Sequence, residues 1–197
     1  MSEWNYLSSG IPDKEFVRGE VPMTKEEIRA VVISKLRLKK DHIIYDLGAG
    51  SGSITVEAAL KSSAGMVYAV EKKAEAVDLI KKNCNKFNLK NVKIIAKEAT
   101  QSFAELPAAD RIFIGGSGGF LEEIITNSDK KLKKDGKIIL TAITVNTLST
   151  AVSQFEQLNY NIDIINLAVT KTKKIREYHM FKALNPIYII SAQKEEK

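Results

Sequence analysis

Apolar positions along the chain switch repeatedly between a period of two and a period near 3.6, the pattern of strands alternating with helices. The first run is helical. Ile28, Val31, Val32 and Leu36 recur at helical spacing, and Thr24 followed three residues later by Glu27 gives a capping-box signal at its start. Ile43-Ile44-Tyr45-Asp46-Leu47 then reads as a short buried strand, followed by a glycine-rich turn and a helix over residues 54–61. Further strands are expected over 66–70, 92–96, 110–114 and, after the Asp135-Gly136 turn, 137–142, with helical spacing over 74–87, 121–132 and 147–158. This rhythm predicts an α/β fold with a mostly parallel sheet. The last two strands, 162–169 and 187–192, have no helical run between them long enough for a crossover, so they are expected to pair antiparallel. The stretch between them, 170–186, is rich in Lys and aromatic residues and reads as a long functional loop or a short lid. No repeat, low-complexity tract or linker divides residues 1–197, which are read as one domain.

Composition narrows the class. With 44% hydrophobic and 27% charged residues over 197 positions, the chain can bury one sizeable core, and wholesale disorder is excluded. A single cysteine, Cys84, can form neither an internal disulfide nor a thiolate zinc cage, which points to an intracellular protein and to Cys84 as a helix residue. Residues 1–10 lack the basic region and apolar run of a secretory signal, and no window approaches the roughly 18 apolar residues of a membrane span. A cytoplasmic protein with no membrane partner is expected. Thirty Lys and Arg against 24 Asp and Glu give a net charge of +6, which favours anionic partners and leaves both nucleic acid and a polycarboxylate metabolite open. The basic stretch 171–174 and the tail 194–197 read as solvated charge.

The strongest local signal is Asp46-Leu47-Gly48-Ala49-Gly50-Ser51-Gly52, placed where a buried strand turns into a helix. Glycines at 48, 50 and 52 let a ligand approach the backbone, and the helix that follows points its N-terminal amides toward negative charge. The dinucleotide fingerprint would need a third glycine at position 53, which is Ser53, and no phosphate-binding G-x-x-x-x-G-K-[ST] sequence is present. Glu71 follows Gly52 by 19 positions at the end of the second strand, where an acid can accept hydrogen bonds from both hydroxyls of a ribose. A second glycine run, Gly115-Gly116-Ser117-Gly118-Gly119, follows the fourth strand.

The D-x-G-x-G-x-G loop with an acid at the second strand end resembles the S-adenosylmethionine site of the class I methyltransferases. That resemblance implies a Rossmann-like, mostly parallel seven-stranded sheet with an antiparallel terminal strand pair. A narrower resemblance rests on residues 10–16, on Val21-Pro22-Met23-Thr24-Lys25-Glu26-Glu27-Ile28-Arg29, on Phe113-Ile114-Gly115-Gly116-Ser117-Gly118-Gly119 and on Asn185-Pro186. Together these are similar to the decarboxylating precorrin carbon-15 methyltransferases of cobalamin biosynthesis. The resemblance implies methyl transfer from S-adenosyl-L-methionine to carbon-15 of a cobalt-precorrin, with loss of carbon dioxide from the ring C acetate, in a homotetramer. It places the cofactor on Thr24, Gly48, Ala49, Gly50, Ser51, Gly52, Glu71 and Ala99. The segment 1–23 would contribute to the substrate cleft. Many relatives carry Gly-Asp/Glu-Ala-Pro at the adenine, where this chain has Lys97-Glu98-Ala99-Thr100. The D/N-P-P-Y/F segment of amino-methylating relatives is absent.

A polycarboxylate tetrapyrrole suits a basic rim, for which Arg18, Lys25, Arg29, Lys173, Lys174 and Arg176 are candidates. Gly115, Gly116, Ser117, Gly118 and Gly119 would leave room for a flat macrocycle, with His179 and Tyr178 as wall residues able to exchange a proton with it. His42 reads as structural, and no residue stands out as a general base. Two other readings stay open. One is an RNA methyltransferase, disfavoured by 7% aromatics and no appended RNA-binding module. The other is a non-catalytic cofactor-binding regulator, disfavoured by the intact glycine loop and Glu71.

Overall fold

The computed structural model describes Trp4 and residues 6–194; the rest of the N-terminal segment and the tail beyond Lys194 lie outside the described residues. Seven strands form one sheet in the order β3-β2-β1-β4-β5-β9-β6. The parallel part comprises β1 (Ile43–Leu47), β2 (Met66–Val70), β3 (Val92–Ile95), β4 (Ala109–Ile114) and β5 (Leu132–Ala142). β6 (Tyr160–Leu167) and β9 (Ile187–Lys194) complete the sheet, β9 running antiparallel to both β5 and β6. The expected parallel sheet with a terminal antiparallel pair is the observed one.

Strand alternation sends side chains to two separate cores. Tyr45, Leu47, Ile112, Ile114, Ile138 and Leu140 face α5 (Leu121–Lys131) and α6 (Val145–Gln157). Ile44, Phe113, Ile139 and Ile189 face α1 (Glu26–Leu36) and α2 (Ser53–Lys61), while α3 (Ala74–Lys86) buries Ile80 and Cys84 beside Ala69. Cys84 is thus a buried helix residue, as expected.

Three local expectations are corrected. Thr24 does not cap α1: the N-cap is Lys25 without a side-chain bond, and the Glu26 amide donates instead to Asp13 Oδ1 at 3.0 Å. A carboxylate from a 3-10 turn upstream (Asp13–Glu15) takes the capping role that the local signal suggested. Residues 170–186 are not a loop; β7 (Thr170–Ile175) and β8 (Tyr178–Ala183) pair as an antiparallel hairpin whose strand residues are all exposed. β5 starts early, at Leu132, and takes up the Asp135-Gly136 turn as a register shift against β4. The short helix α4 (Ala99–Ser102) after β3 had no periodic signal because it is a single turn.

Candidate functional site

The site lies beyond the carboxyl ends of β1, β2, β4 and β5, the edge at which open α/β sheets bind ligands. Gly48, Gly50 and Gly52 all have left-handed backbones, with φ of 71°, 56° and 78°. At Gly48 the need is twofold, since a Cβ there would lie 2.5 Å from the Gly116 carbonyl oxygen. The loop after β1 and the loop after β4 therefore touch through backbone alone. Glu71 locks the loop from the side: Oε2 accepts the Gly50 amide and Oε1 the Lys73 amide, both at 2.9 Å. Each oxygen keeps a second lone pair for a hydroxyl.

Two adjoining clefts share Gly48 and Glu71. The first, about 320 Å³, is bounded by residues 21–25, the glycine loop, Asp46, Thr141, Ile143 and Ile187. The second, about 270 Å³, runs past Glu71 to Ala99, Gly116, Ser117 and Gly118, and an ion pair of Lys72 with Glu98 at 2.8 Å stands beside it. Thr24 lines the first cleft and Ala99, at the start of α4, the second. Seven of the eight residues expected at a cofactor thus border this edge, and the eighth, Gly52, is buried behind it against Ile80.

Asp46 is the residue that sequence reasoning left inside the motif without a role. It is 1% exposed and lines the first cleft. Thr55 Oγ1 donates to its Oδ2 at 2.5 Å, whereas Oδ1 has no partner among the described residues. Burial pushes its carboxyl up from 3.8 to about 7, against the pull of the Thr55 hydrogen bonds and with help from the Glu71 charge. Ser51 Oγ, also in the cleft wall, is a second buried oxygen without a partner among the described residues. Unpaired buried oxygens at a glycine cradle fit a polar ligand. The signal for Asp46 was available in the sequence: a carboxylate inside an otherwise apolar strand has to be buried or functional.

The expected substrate residues separate. Gly115 faces the first cleft, but Gly116, Ser117 and Gly118 line the second beside Glu71 and Ala99, and Gly119 borders a depression at the start of α5. The five do not form one substrate wall. Arg29, expected at the rim, is 0% exposed. Its Nε donates to Glu57 Oε1 at 2.6 Å and Nη1 to Asp13 Oδ1 at 3.3 Å, while Nη1 and Nη2 also donate to the carbonyls of Thr24 and Ile11. Glu57 in turn accepts the Gly10 and Ile11 amides at 2.9 Å. Arg29 therefore ties residues 10–24 to α1 and α2 and holds the rim without facing the cleft. Arg18 is exposed and borders neither cleft, and His179, Tyr178, Lys173, Lys174 and Arg176 belong to the hairpin or its turn. Lys25 does line the cleft. His42 is buried, with Nδ1 accepting the Lys39 amide at 3.2 Å, which is the structural role expected of it.

The mouth carries apolar groups that sequence reasoning did not single out. Ile143 is 74% exposed, and Val145 and Tyr188 are exposed nearby along the chain ends of β5 and β9. Exposed side chains of this size beside a polar cradle suit a flat ligand with apolar faces.

Comparison with known proteins gives a consistent result. Residues 15–194 match the family model of the precorrin methyltransferase domain. A probable cobalt-precorrin-6B C(15)-methyltransferase (decarboxylating) from Sulfurisphaera tokodaii is 45% identical over 188 residues, covering 94% of this chain and 97% of that one. The crystal structure of precorrin-6y C5,15-methyltransferase from Geobacter metallireducens superposes with a TM-score of 0.91 at 43% identity, covering 96% of this chain and all of the other. A precorrin 8w decarboxylase from Methanobacterium thermoautotrophicum superposes at 0.88 with 30% identity, covering 92% and 98%.

Proposed function

The chain belongs to the precorrin methyltransferase domain family, and from that membership we propose that it methylates carbon-15 of a cobalt-precorrin with S-adenosylmethionine and removes the ring C acetate carboxyl as carbon dioxide. The observation that carries this reading is the pair of joined clefts at the strand ends, with a left-handed glycine cradle, Glu71, and the buried unpaired oxygens of Asp46 and Ser51. When bound, S-adenosylmethionine supplies an electrophilic methyl group on a sulfonium. The protein's part is placement, since in-line displacement gains most from orientation and exclusion of water. In this reading Glu71 holds the glycine loop and offers its free lone pairs to the ribose, and Ala99 borders the adenine. Asp46 and Ser51 face the polar end of the cofactor. Ile143 and Ile187 wall the first cleft, and Lys25 and Lys73 at its edge offer cations to the carboxylates of the macrocycle. The nucleophile is the conjugated tetrapyrrole carbon, and the electron pair left by the departing carboxylate passes into the macrocycle.

We further propose a cytoplasmic homotetramer. Among the described residues no helix is long and apolar enough to cross a membrane. The exposed hairpin carries Ile175, Tyr178, Met180 and Phe181, the last 81% exposed, an apolar load that suits contact with further copies of the chain.

Mass spectrometry of the cobalt-precorrin incubated with the protein and S-adenosylmethionine tests the activity. The expected product has gained one methyl in place of a hydrogen and lost carbon dioxide. A product that is methylated with all carboxyls retained, or no product beside methylated RNA, would overturn the reading. Light scattering tests the assembly, and a monomer at micromolar concentration would refute it.

A further inference from the structure

At the opposite end of the sheet, α1 stops at Leu36 and Arg37 turns away with a left-handed backbone, φ 49°. Past that helix end the face of β5, β9 and β6 is left open, and a hollow of about 530 Å³ forms there. Its floor is set by register. Lys137 of β5, Gln193 of β9 and Asn161 of β6 stand opposite one another in one row, and Ser191 and Asp163 stand opposite in the next. Neighbouring strands lie about 4.8 Å apart, so each row brings its polar groups within reach of one small molecule.

The hollow is cationic. Lys35, Arg37 and Lys137 line it against the single carboxylate of Asp163, a formal charge of +2; Lys194 borders it too, but its ammonium lies over the Tyr160 ring on the α5 side of the sheet. Lys35 pairs with Asp163 at 2.6 Å and Lys194 with Asp129 at 2.7 Å. Arg37 and Lys137 have no ion-pair partner among the described residues. Burial lowers the pKa of Lys137, and the charges of Arg111, Arg37 and Lys35 lower it further against the pull of Asp163. At the back wall Ser191 is 7% exposed, and its Oγ has no hydrogen-bond partner among the described residues. A solvated basic patch on a convex surface accounts for none of this: it has no concavity, no amide row and no buried idle hydroxyl.

We propose that this hollow is a second ligand site, taking a small polyanion whose charge is carried by phosphate groups or clustered carboxylates. Arg37 and Lys137 supply the free cations, the Gln193 and Asn161 amides lie beneath, and the Ser191 hydroxyl donates from the wall. The volume exceeds that of one phosphate and falls among small-molecule pockets, which commonly run from roughly 300 to 1,000 Å³. The site is separate from the cofactor clefts. Thr141 of β5 and Ile187 of β9 line the first cleft, four residues along the same strands from Lys137 and Ser191, about 13 Å away.

Calorimetric titration of the full chain with inorganic pyrophosphate, and separately with citrate, tests the site at fixed ionic strength. Saturable binding of one pyrophosphate or one citrate per chain is expected, and whichever binds more tightly identifies phosphate or carboxylate as the source of charge. R37Q/K137Q should weaken it at least tenfold and Ser191→Ala severalfold, while Lys137→Arg keeps it. S-adenosylmethionine affinity should be equal in all of them, which also checks that each variant is folded. No saturable binding of either anion, or unchanged affinity in R37Q/K137Q, would overturn the proposal. So would a single-stranded oligonucleotide that outcompetes pyrophosphate and is lost in the same variant, since the hollow would then belong to a nucleic-acid surface.

Discussion

Asp46→Asn gives a stability change whose sign is set by burial, the largest influence on the Asp46 carboxyl. In the folded chain the carboxyl sits at about 7 and in the unfolded chain near 3.8, because burial disfavours its charged form. The folded state therefore binds more protons between these values, and the stability Asp46 contributes is fully present below pH 3.8 and is lost as pH rises through 7. The interval is about 3 pH units. At 1.36 kcal/mol per unit this is about 4 kcal/mol across the window, with a steepest slope of about 1.4 kcal/mol per unit. An amide at 46 can accept the Thr55 hydroxyl as Oδ2 does and does not ionise, so it carries no such loss. Urea unfolding of both proteins from pH 4 to 8 is the assay. All other groups titrate alike in the two, so the difference curve isolates Asp46. The variant should gain about 4 kcal/mol on the parent between pH 4 and 8. A flat difference curve, or one of opposite slope, would show that the Asp46 carboxyl is ionised in the folded protein throughout and that the buried unpaired oxygen has been misread.

Three further outcomes are expected. Gly50→Val should abolish S-adenosylmethionine binding in calorimetry, since it forces a β-branched residue to φ 56° with its Cβ 3.3 Å from the Pro22 carbonyl; unchanged affinity would refute the loop assignment. Glu71→Ala should weaken cofactor binding by roughly 1–3 kcal/mol, through lost ribose contacts and through release of the Gly50 amide. Arg29→Met should cost about 3–5 kcal/mol in urea unfolding because Glu57 is left buried and unpaired, and adding Glu57→Gln should recover part of it; additive losses would show that the two do not act as a pair.

The periodicity carried the sheet because every parallel strand contains a short apolar run, such as 66–70, 112–114 or 138–140, and burial on both faces at the centre of the sheet favours that composition. It failed at the hairpin β7–β8 for the converse reason. Those strands bury neither face within the chain, so Lys, Thr, aromatic and aliphatic residues follow one another there under no constraint from a core that the sequence could reveal. The start of α1 failed differently. Thr24 and Glu27 satisfy the local rule, yet Asp13, eleven residues upstream of Thr24, reaches the Glu26 amide first because Arg29 anchors it there. A local motif competes with tertiary partners that no window can contain.

The site divides along the same line. Glycines and Glu71 were legible because backbone conformation and strand-end position constrain them one residue at a time. Basic residues were not, since charge in a sequence does not say which way the side chain points. Arg29 shows the consequence. It stands next to the cleft segment, and its guanidinium turns inward to Glu57, Asp13 and two carbonyls. Four acceptors on three separate segments fix residues 10–24 as a rigid border to the glycine loop. The Pro22 carbonyl is thereby held close enough to Gly50 that a single added Cβ would press on it. A buried ion pair is weak evidence of stability in itself, but this one sets the width of the cleft. The same cation that would have been wasted as one more surface charge at the rim instead determines where the rim stands.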